Sequence, residues 1–453
     1  MNEEIAEYYE ELYRLYIDEN QPLERRYRQL RESLERVVRE RIQGNSLQIT
    51  DLAARINYVA TQYELDIKEQ NQLHTFRLTS NDILNHRKFP AKEEFLRDLR
   101  AVAFAYRKMF AQDIPLKLFS VLPKQEITSL GKKEKKEYIR RIRVCFDYAD
   151  DTYLYVHPVD IIADEPIRVV YNKPGINHEF EETIKELWRY AQLNLLDVFV
   201  DREGIYTPSF IVLEPDYLID ISSLAECYKD YGSHPANYFL SRLVPIDNAR
   251  PLLLGNIANL FLDEWIHAGE EEPDYIDCMK KAFRQYPIEL AACAELRDPS
   301  KEKEFAKDCR MHFEHIRDIV QHTFLEPGYN LDKKDAVLEP SYICEALGIQ
   351  GRLDYMQRDM SSFIEMKSGK ADEFSIQGKV EPKENNKVQM LLYMAVLEYS
   401  MGQDRRRMHP YLLYTRYPLL YPARASWAQV RRVINLRNRI VAAEYGVQSV
   451  SYT

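Results

Sequence analysis

Two acids and a lysine able to support metal-assisted hydrolysis crowd into one short stretch, Gly348-Ile-Gln-Gly-Arg-Leu-Asp354-Tyr-Met-Gln-Arg-Asp-Met-Ser-Ser-Phe-Ile-Glu365-Met-Lys367-Ser-Gly-Lys. Two strand-like runs flank a polar turn at 358–361, which predicts a hairpin. With the turn centred there, Asp354 lies across from Glu365, Leu353 pairs with Met366 and Tyr355 with Ile364. Alternation puts Lys367 on the face that carries both acids. Facing carboxylates repel. A divalent cation between them removes the conflict, and Mg²⁺ or Mn²⁺ suits such oxygen ligands. A water acidified by the cation can attack a phosphodiester, and a neighbouring lysine can orient it or steady the developing charge. A solvent-facing hairpin with ordinary surface charges uses the same residue types, and spacing alone leaves both readings open.

The hairpin needs supporting elements. Residues 384–399 read as a helix with Val388, Leu391, Leu392, Ala395 and Val396 apolar. Gln389 and Tyr393, four apart, share one of its faces. Residues 411–416 read as a strand beside the hairpin that aims Arg416 toward the cleft. Further back, Leu23, Tyr27, Leu30, Leu34 and Val37 recur at helical spacing between Pro22 and Gly44. Helical patterns continue to about Met109. Strand-like runs follow at 116–122, 143–148, 152–156, 167–171 and 210–213, with a basic loop at 131–136. Helices return from 222 to 321. The expected organisation is a helical region at 1–115, a β-rich segment at 116–221, and a nuclease domain at 222–453 with its catalytic core at 335–418.

The chain has 453 residues, a net charge of −10 and six scattered cysteines without a CxxC pair. That pattern fits reduced thiols, and with no apolar leader or spanning stretch the expectation is a soluble cytoplasmic protein without a membrane partner. An acidic chain can hold a polyanion only on a local basic face. Nine arginines between Arg405 and Arg439, with no Asp or Glu among them, supply a candidate, including Arg431, Arg432, Arg437 and Arg439 on a final helix. A solvated face or a docking surface fits the same charges. Cys309, His312 and His315 step by three, share a helix face only in part, and lack a fourth zinc ligand. Ser368-Gly-Lys-Ala lacks the preceding glycine and following Ser/Thr of a phosphate-cradling loop.

Gly-x-x-Gly-x-x-Asp, then Glu-x-Lys, then Gln-x-x-x-Tyr resembles the PD-(D/E)XK nucleases of the RecB-like branch, above all the nuclease module of flap-processing nuclease–helicases and CRISPR-adaptation nucleases. The clear motifs cover 339–416, with weaker similarity at 213–220. The resemblance implies an α/β fold with a restriction-endonuclease-like core, a small mixed sheet flanked by helices. It implies Asp354, Glu365 and the Met366 carbonyl as metal ligands, Lys367 as the catalytic lysine, Gln389 and Tyr393 as the trailing-helix motif, and Glu339 as an upstream glutamate acting through water. The implied activity is Mg²⁺- or Mn²⁺-dependent hydrolysis of DNA, single-stranded or flap-bearing rather than intact duplex, in repair, recombination or defence, with a helicase domain or subunit as a possible partner. Two departures stand out. Where relatives carry a metal-binding histidine, Gly255-Asn-Ile-Ala-Asn259 has asparagine. Cys227 matches the early cysteine of an iron–sulfur cluster, but no cysteine follows Cys344, so no such cluster is expected. The rival readings are a catalytically weak nuclease fold that binds DNA or protein, and an enzyme acting on RNA.

Overall fold

The computed structural model describes residues 3–43, 49–123, 138–163, 165–229, 232–244, 249–374, 379–424 and 426–450. The chain divides into two compact units, residues 1–214 with 441–453, and residues 215–440.

The first unit begins with helices α1 (Glu3–Ile17), α2 (Leu23–Ile42), α3 (Leu52–Gln62), α4 (Ile67–Leu84) and α5 (Lys92–Phe110). Tyr27, Leu30, Leu34 and Val37 of α2 are buried as their spacing requires, against Phe76 of α4 and Phe95 and Leu99 of α5. An Asp66–Glu69 capping box opens α4. The stop at Gly44 and the basic loop at 131–136 lie outside the described residues. The strand expected at 116–122 is instead a short helix, α6 (Leu116–Phe119). Leu118 and Leu122, four apart, are buried while Leu116 and Phe119 are exposed, so the segment follows the helical period and not the strand period.

A β-barrel follows. Its strands are β1 (Tyr138–Ala149), β2 (Tyr153–Pro158), β3 (Ile167–Val170), β4 (Gln192–Val200), β5 (Tyr206–Thr207) and β6 (Phe210–Leu213), with helix α7 (Glu181–Lys185) between β3 and β4. The long β1 pairs with both β2 and β4, and the order β1-β2-β3-β5-β4 therefore closes on itself. Closure is made by a parallel contact of β3 with β5 at Val169 and Tyr206. Asn177, wholly buried, pins that seam by donating to Val170 O and Pro208 O, each at 2.8 Å. The sequence reading missed β4 because both of its faces are buried between 192 and 196, which erases alternation.

The second unit contains β7 (Ile219–Asp220), α8 (Ile221–Glu226), a small hairpin of β8 (Tyr228–Lys229) and β9 (Gly232–Ser233), and helices α9 (Ala236–Leu243), α10 (Arg250–His267), α11 (Tyr275–Gln285), α12 (Pro287–Ala292) and α13 (Pro299–Gln321). Strands β10 (Ala336–Leu338), β11 (Ser341–Cys344), β12 (Ile349–Arg352), β13 (Tyr355–Gln357) and β14 (Ser362–Lys367) follow. After a hairpin of β15 (Asp372–Phe374) and β16 (Lys379–Glu381) come α14 (Glu384–Met401), β17 (His409–Tyr414), β18 (Leu419–Pro422) and α15 (Trp427–Val450). The central sheet has the order β10-β13-β14-β17-β18, with β14 and β17 parallel and the other pairs antiparallel. Tyr355, Ile364, Met366, Tyr411 and Leu413 pack into one core with α10 and α13. Helix α14, buried almost all round from Asn386 to Leu397, packs against β17. The unit is thus mixed α/β, with helices against its sheet. Among the described residues no helix is long and apolar enough to cross a membrane.

Candidate metal-binding site

Tyr355 pairs with Ile364 and Met356 with Phe363 around the turn at 358–361, the register read from the sequence. Continued by one step, that ladder sets Asp354 across from Glu365. Here the chain departs from regular pairing: the Met366 N–H donates to Asp354 Oδ2 at 2.6 Å. Because the N–H and C=O of one strand residue point to the same edge, the Met366 carbonyl also faces the Asp354 side.

Glu365 is 4% exposed. Its Oε1 accepts from Lys367 Nζ at 2.9 Å and from Gln389 Nε2 at 2.6 Å. Gln389 Oε1 accepts from Lys367 Nζ at 2.8 Å, closing a triangle among the three side chains, and Gln389 Nε2 also donates to Ser222 Oγ at 2.9 Å. Glu365 Oε2 is buried with no hydrogen-bond partner. An ionised oxygen in that state costs several kcal/mol unless a proton or cation meets it. Burial, then the Asp354 charge, pushes the Glu365 carboxyl up to about 8. Asp354 is pushed up as well, by burial against the Met366 N–H and Lys367, which pull it down. Burial pulls the Lys367 ammonium down, but Glu365 and Asp354 outweigh it and hold it above its ordinary range. Asp354 and Lys367 retain some exposure, so the cluster reaches solvent through them.

Two glycines of the Gly-x-x-Gly-x-x-Asp motif have steric reasons. Gly348 has φ +64°, and a Cβ there would fall inside the Arg437 guanidinium. A Cβ on Gly351 would press to 3.1 Å against Ile221 and the Tyr393 ring. That close approach lets Tyr393 OH donate to Arg352 O at 2.6 Å, two residues before Asp354. Tyr393, on α14, thus holds the end of β12, two residues before Asp354.

The other expected residues fall differently. Glu339, at φ +49°, donates its N–H to Asp354 O and ion-pairs with Arg352 at 3.1 Å, so it borders the site. Arg416 lies in the turn after β17, partly buried, near enough to His312 of α13 to add to burial, the main cause, in lowering that imidazole. The four arginines of α15 do not form one exposed face. Arg431 is 9% exposed and Arg437 is wholly buried, donating to Gly348 O and Tyr217 O; of the four, Arg439 is partly buried and Arg432 is exposed. A helix whose Val430, Val433, Ile434 and Ile440 are also buried has little surface left for phosphates. Cys227 is a buried thiol donating to Ser223 O, and His315 Nδ1 pairs with Thr415 O at 2.8 Å.

Ser222 and Asp263 were missed. Ser222 lies 167 residues before Gln389, and nothing local in the sequence marks the pair. Asp263, on α10 one turn beyond Asn259, is raised to about 6 by burial and by Glu339 and Asp354. Its i, i+4 spacing from Asn259 was the available signal. Asn259 Oδ1 is itself buried with no partner. Among the described residues no three His, Cys, Asp or Glu side chains converge on one point. Two carboxylates, a backbone carbonyl and waters match the way Mg²⁺ is commonly held. The orphaned Glu365 oxygen fits such an ion. The chain matches no protein-family model, and no curated protein is detectably similar to it.

Proposed function

We propose that the chain is a Mg²⁺- or Mn²⁺-dependent deoxyribonuclease with a restriction-endonuclease-like core of the PD-(D/E)XK kind. The observation that carries this reading is the triangle of Glu365, Lys367 and Gln389 beside Asp354, with one carboxylate oxygen buried and unpartnered. Asp354, Glu365 and the Met366 carbonyl would hold the cation, and Glu339 would contribute through water. The bound cation supplies an acidified water and offsets charge on the phosphodiester. Lys367, fixed at two points by Glu365 and Gln389, presents its remaining donor capacity to the attacking water or a phosphate oxygen. Gln389 orients Lys367, and Tyr393 holds the end of β12 that leads into Asp354. Arg416 and Arg432 remain candidate phosphate contacts.

The test is digestion of single-stranded, duplex and flap DNA with Mg²⁺ or Mn²⁺, alongside Asp354→Asn and Glu365→Gln. Cleavage by the wild type and its loss in both variants supports the reading. Metal-independent DNA binding without cleavage identifies instead the non-catalytic module that Asn259 at the histidine position allows. Cleavage of RNA in preference to DNA overturns the substrate assignment.

A further inference from the structure

The barrel of the first unit offers a second, separate surface. Its ring order β1-β2-β3-β5-β4, with β3 parallel to β5, a long β1 serving two neighbours, and a helix between β3 and β4, is the connectivity of oligonucleotide- and oligosaccharide-binding barrels. Such barrels bind across the outer face of their second and third strands and the adjoining loops. On β2, Leu154 and Val156 point into the barrel and are wholly buried, so Tyr153 and Tyr155 point outward. Tyr155 sits in register between Tyr148 of β1 and Arg168 of β3. A β-bulge in β1 between Phe146 and Tyr148 turns Tyr148 outward, where it is 51% exposed.

The rings of Tyr148 and Tyr155 stack in parallel, 4.2 Å between centroids and 12° between planes. Arg168 lies 5.7 Å from the centre of the Tyr153 ring. A solvent-facing stack of two tyrosines buries little in the core. The two rings cover each other's inner faces, so a base would stack on an outer face of the pair, beside a guanidinium for the backbone. Asp150, at the turn between β1 and β2, accepts from Thr152 N, Tyr153 N and Tyr155 OH.

We propose that this outer face of β1, β2 and β3 is a docking surface for single-stranded DNA, gripped by base stacking on Tyr148, Tyr153 and Tyr155 with Arg168 on the backbone. The choice of DNA over RNA rests on the proposed function; the surface itself does not depend on it. The arginine favours a polyanion over a neutral oligosaccharide.

The test is fluorescence anisotropy of a labelled dT20 oligonucleotide with the full chain in EDTA, which keeps any nuclease activity silent. Tyr148→Ala/Tyr155→Ala should weaken binding by roughly tenfold or more. Tyr155→Phe, which keeps the ring but frees Asp150 Oδ2 from the hydroxyl, should lose less affinity than Tyr155→Ala. Arg168→Ala should bind more weakly with a shallower salt slope, by about 0.7 for one lost contact. Tyr148→Leu, at a half-exposed position that tolerates the change, guards against misfolding and should also weaken binding. Unchanged affinity in the tyrosine variants, or no binding by the wild type, overturns the proposal even if the protein cuts DNA. Tyrosine-dependent binding persists if the nuclease reading fails. Tighter binding of rU20 or of an oligosaccharide overturns the DNA assignment.

Discussion

Replacing Glu365 by Gln should change how stability depends on pH, in a direction opposite to that of most carboxylates. In the folded chain the Glu365 carboxyl is pushed up to about 8 from an ordinary 4.5, first by burial and then by Asp354. Between those values the folded state holds more protons than the unfolded state, so stability falls as pH rises. At about 1.36 kcal/mol per pH unit, the full interval is worth roughly 4–5 kcal/mol, and the span from pH 6 to 8 about 2–3 kcal/mol. For a unit of this size that is a drop of about 4–12 °C in Tm. Gln keeps a carbonyl to accept from Lys367 and Gln389 but cannot ionise, so the variant should lose Glu365's share of the drop between pH 6 and pH 8 and keep only the smaller one from other buried acids such as Asp98, pushed up to about 7 by burial. The assay is thermal unfolding in EDTA at both pH values, then with Mg²⁺ or Mn²⁺ added. The cation should restore the wild type at pH 8, because binding to the folded state alone stabilises it. An equal pH-dependent drop in wild type and Glu365→Gln would refute the argument that the buried pair carries the proton.

Lys367→Ala should lower the cleavage rate by a hundredfold or more and leave cation affinity, measured calorimetrically, within a few-fold, because its role lies in the transition state. Gly348→Ala should destabilise by about 2–4 kcal/mol in thermal or urea unfolding, since it adds strain at φ +64° and displaces the buried Arg437 guanidinium. Arg437→Ala should cost about 2–3 kcal/mol by removing the guanidinium that donates to Tyr217 O and, beside the Ile219 N–H, to Gly348 O, with the salt slope of DNA binding unchanged, whereas Arg432→Ala should leave stability intact. Asn177→Ala should destabilise the barrel by about 2–3 kcal/mol, seen as early loss of amide protection in β3 and β5.

The hairpin register was readable because Leu353, Tyr355, Ile364 and Met366 alternate with Asp354 and Glu365 about a four-residue polar turn. The helices from Glu3 to Phe110 and the face shared by Gln389 and Tyr393 were readable for the same reason, that a local period reports burial. What escaped has no local period. Strand β4 is covered on both sides, and Leu116–Phe119 is too short for its helical spacing to stand out. Arg437 looked like surface charge because a guanidinium is seldom buried; it is buried here because backbone carbonyls at Tyr217 and Gly348, far away in sequence, take its donors. The Ser222–Gln389 contact and the ring closure of the barrel are long-range pairings, which a single sequence does not display.

The parallel pairing of β14 with β17 also sets a timetable for the nascent chain. Glu365 and Lys367 leave the ribosome before the strand that completes their sheet, because Lys367 pairs with Tyr414 and the intervening helix carries Gln389. At roughly 5–20 residues per second, that interval lasts on the order of 2–10 s. During it Glu365 and Lys367 lie on a strand whose β17 edge is unpaired, and Gln389 follows them only partway through the interval. The arrangement proposed to hold the cation is thus complete only once the strand that ends at Tyr414 has paired.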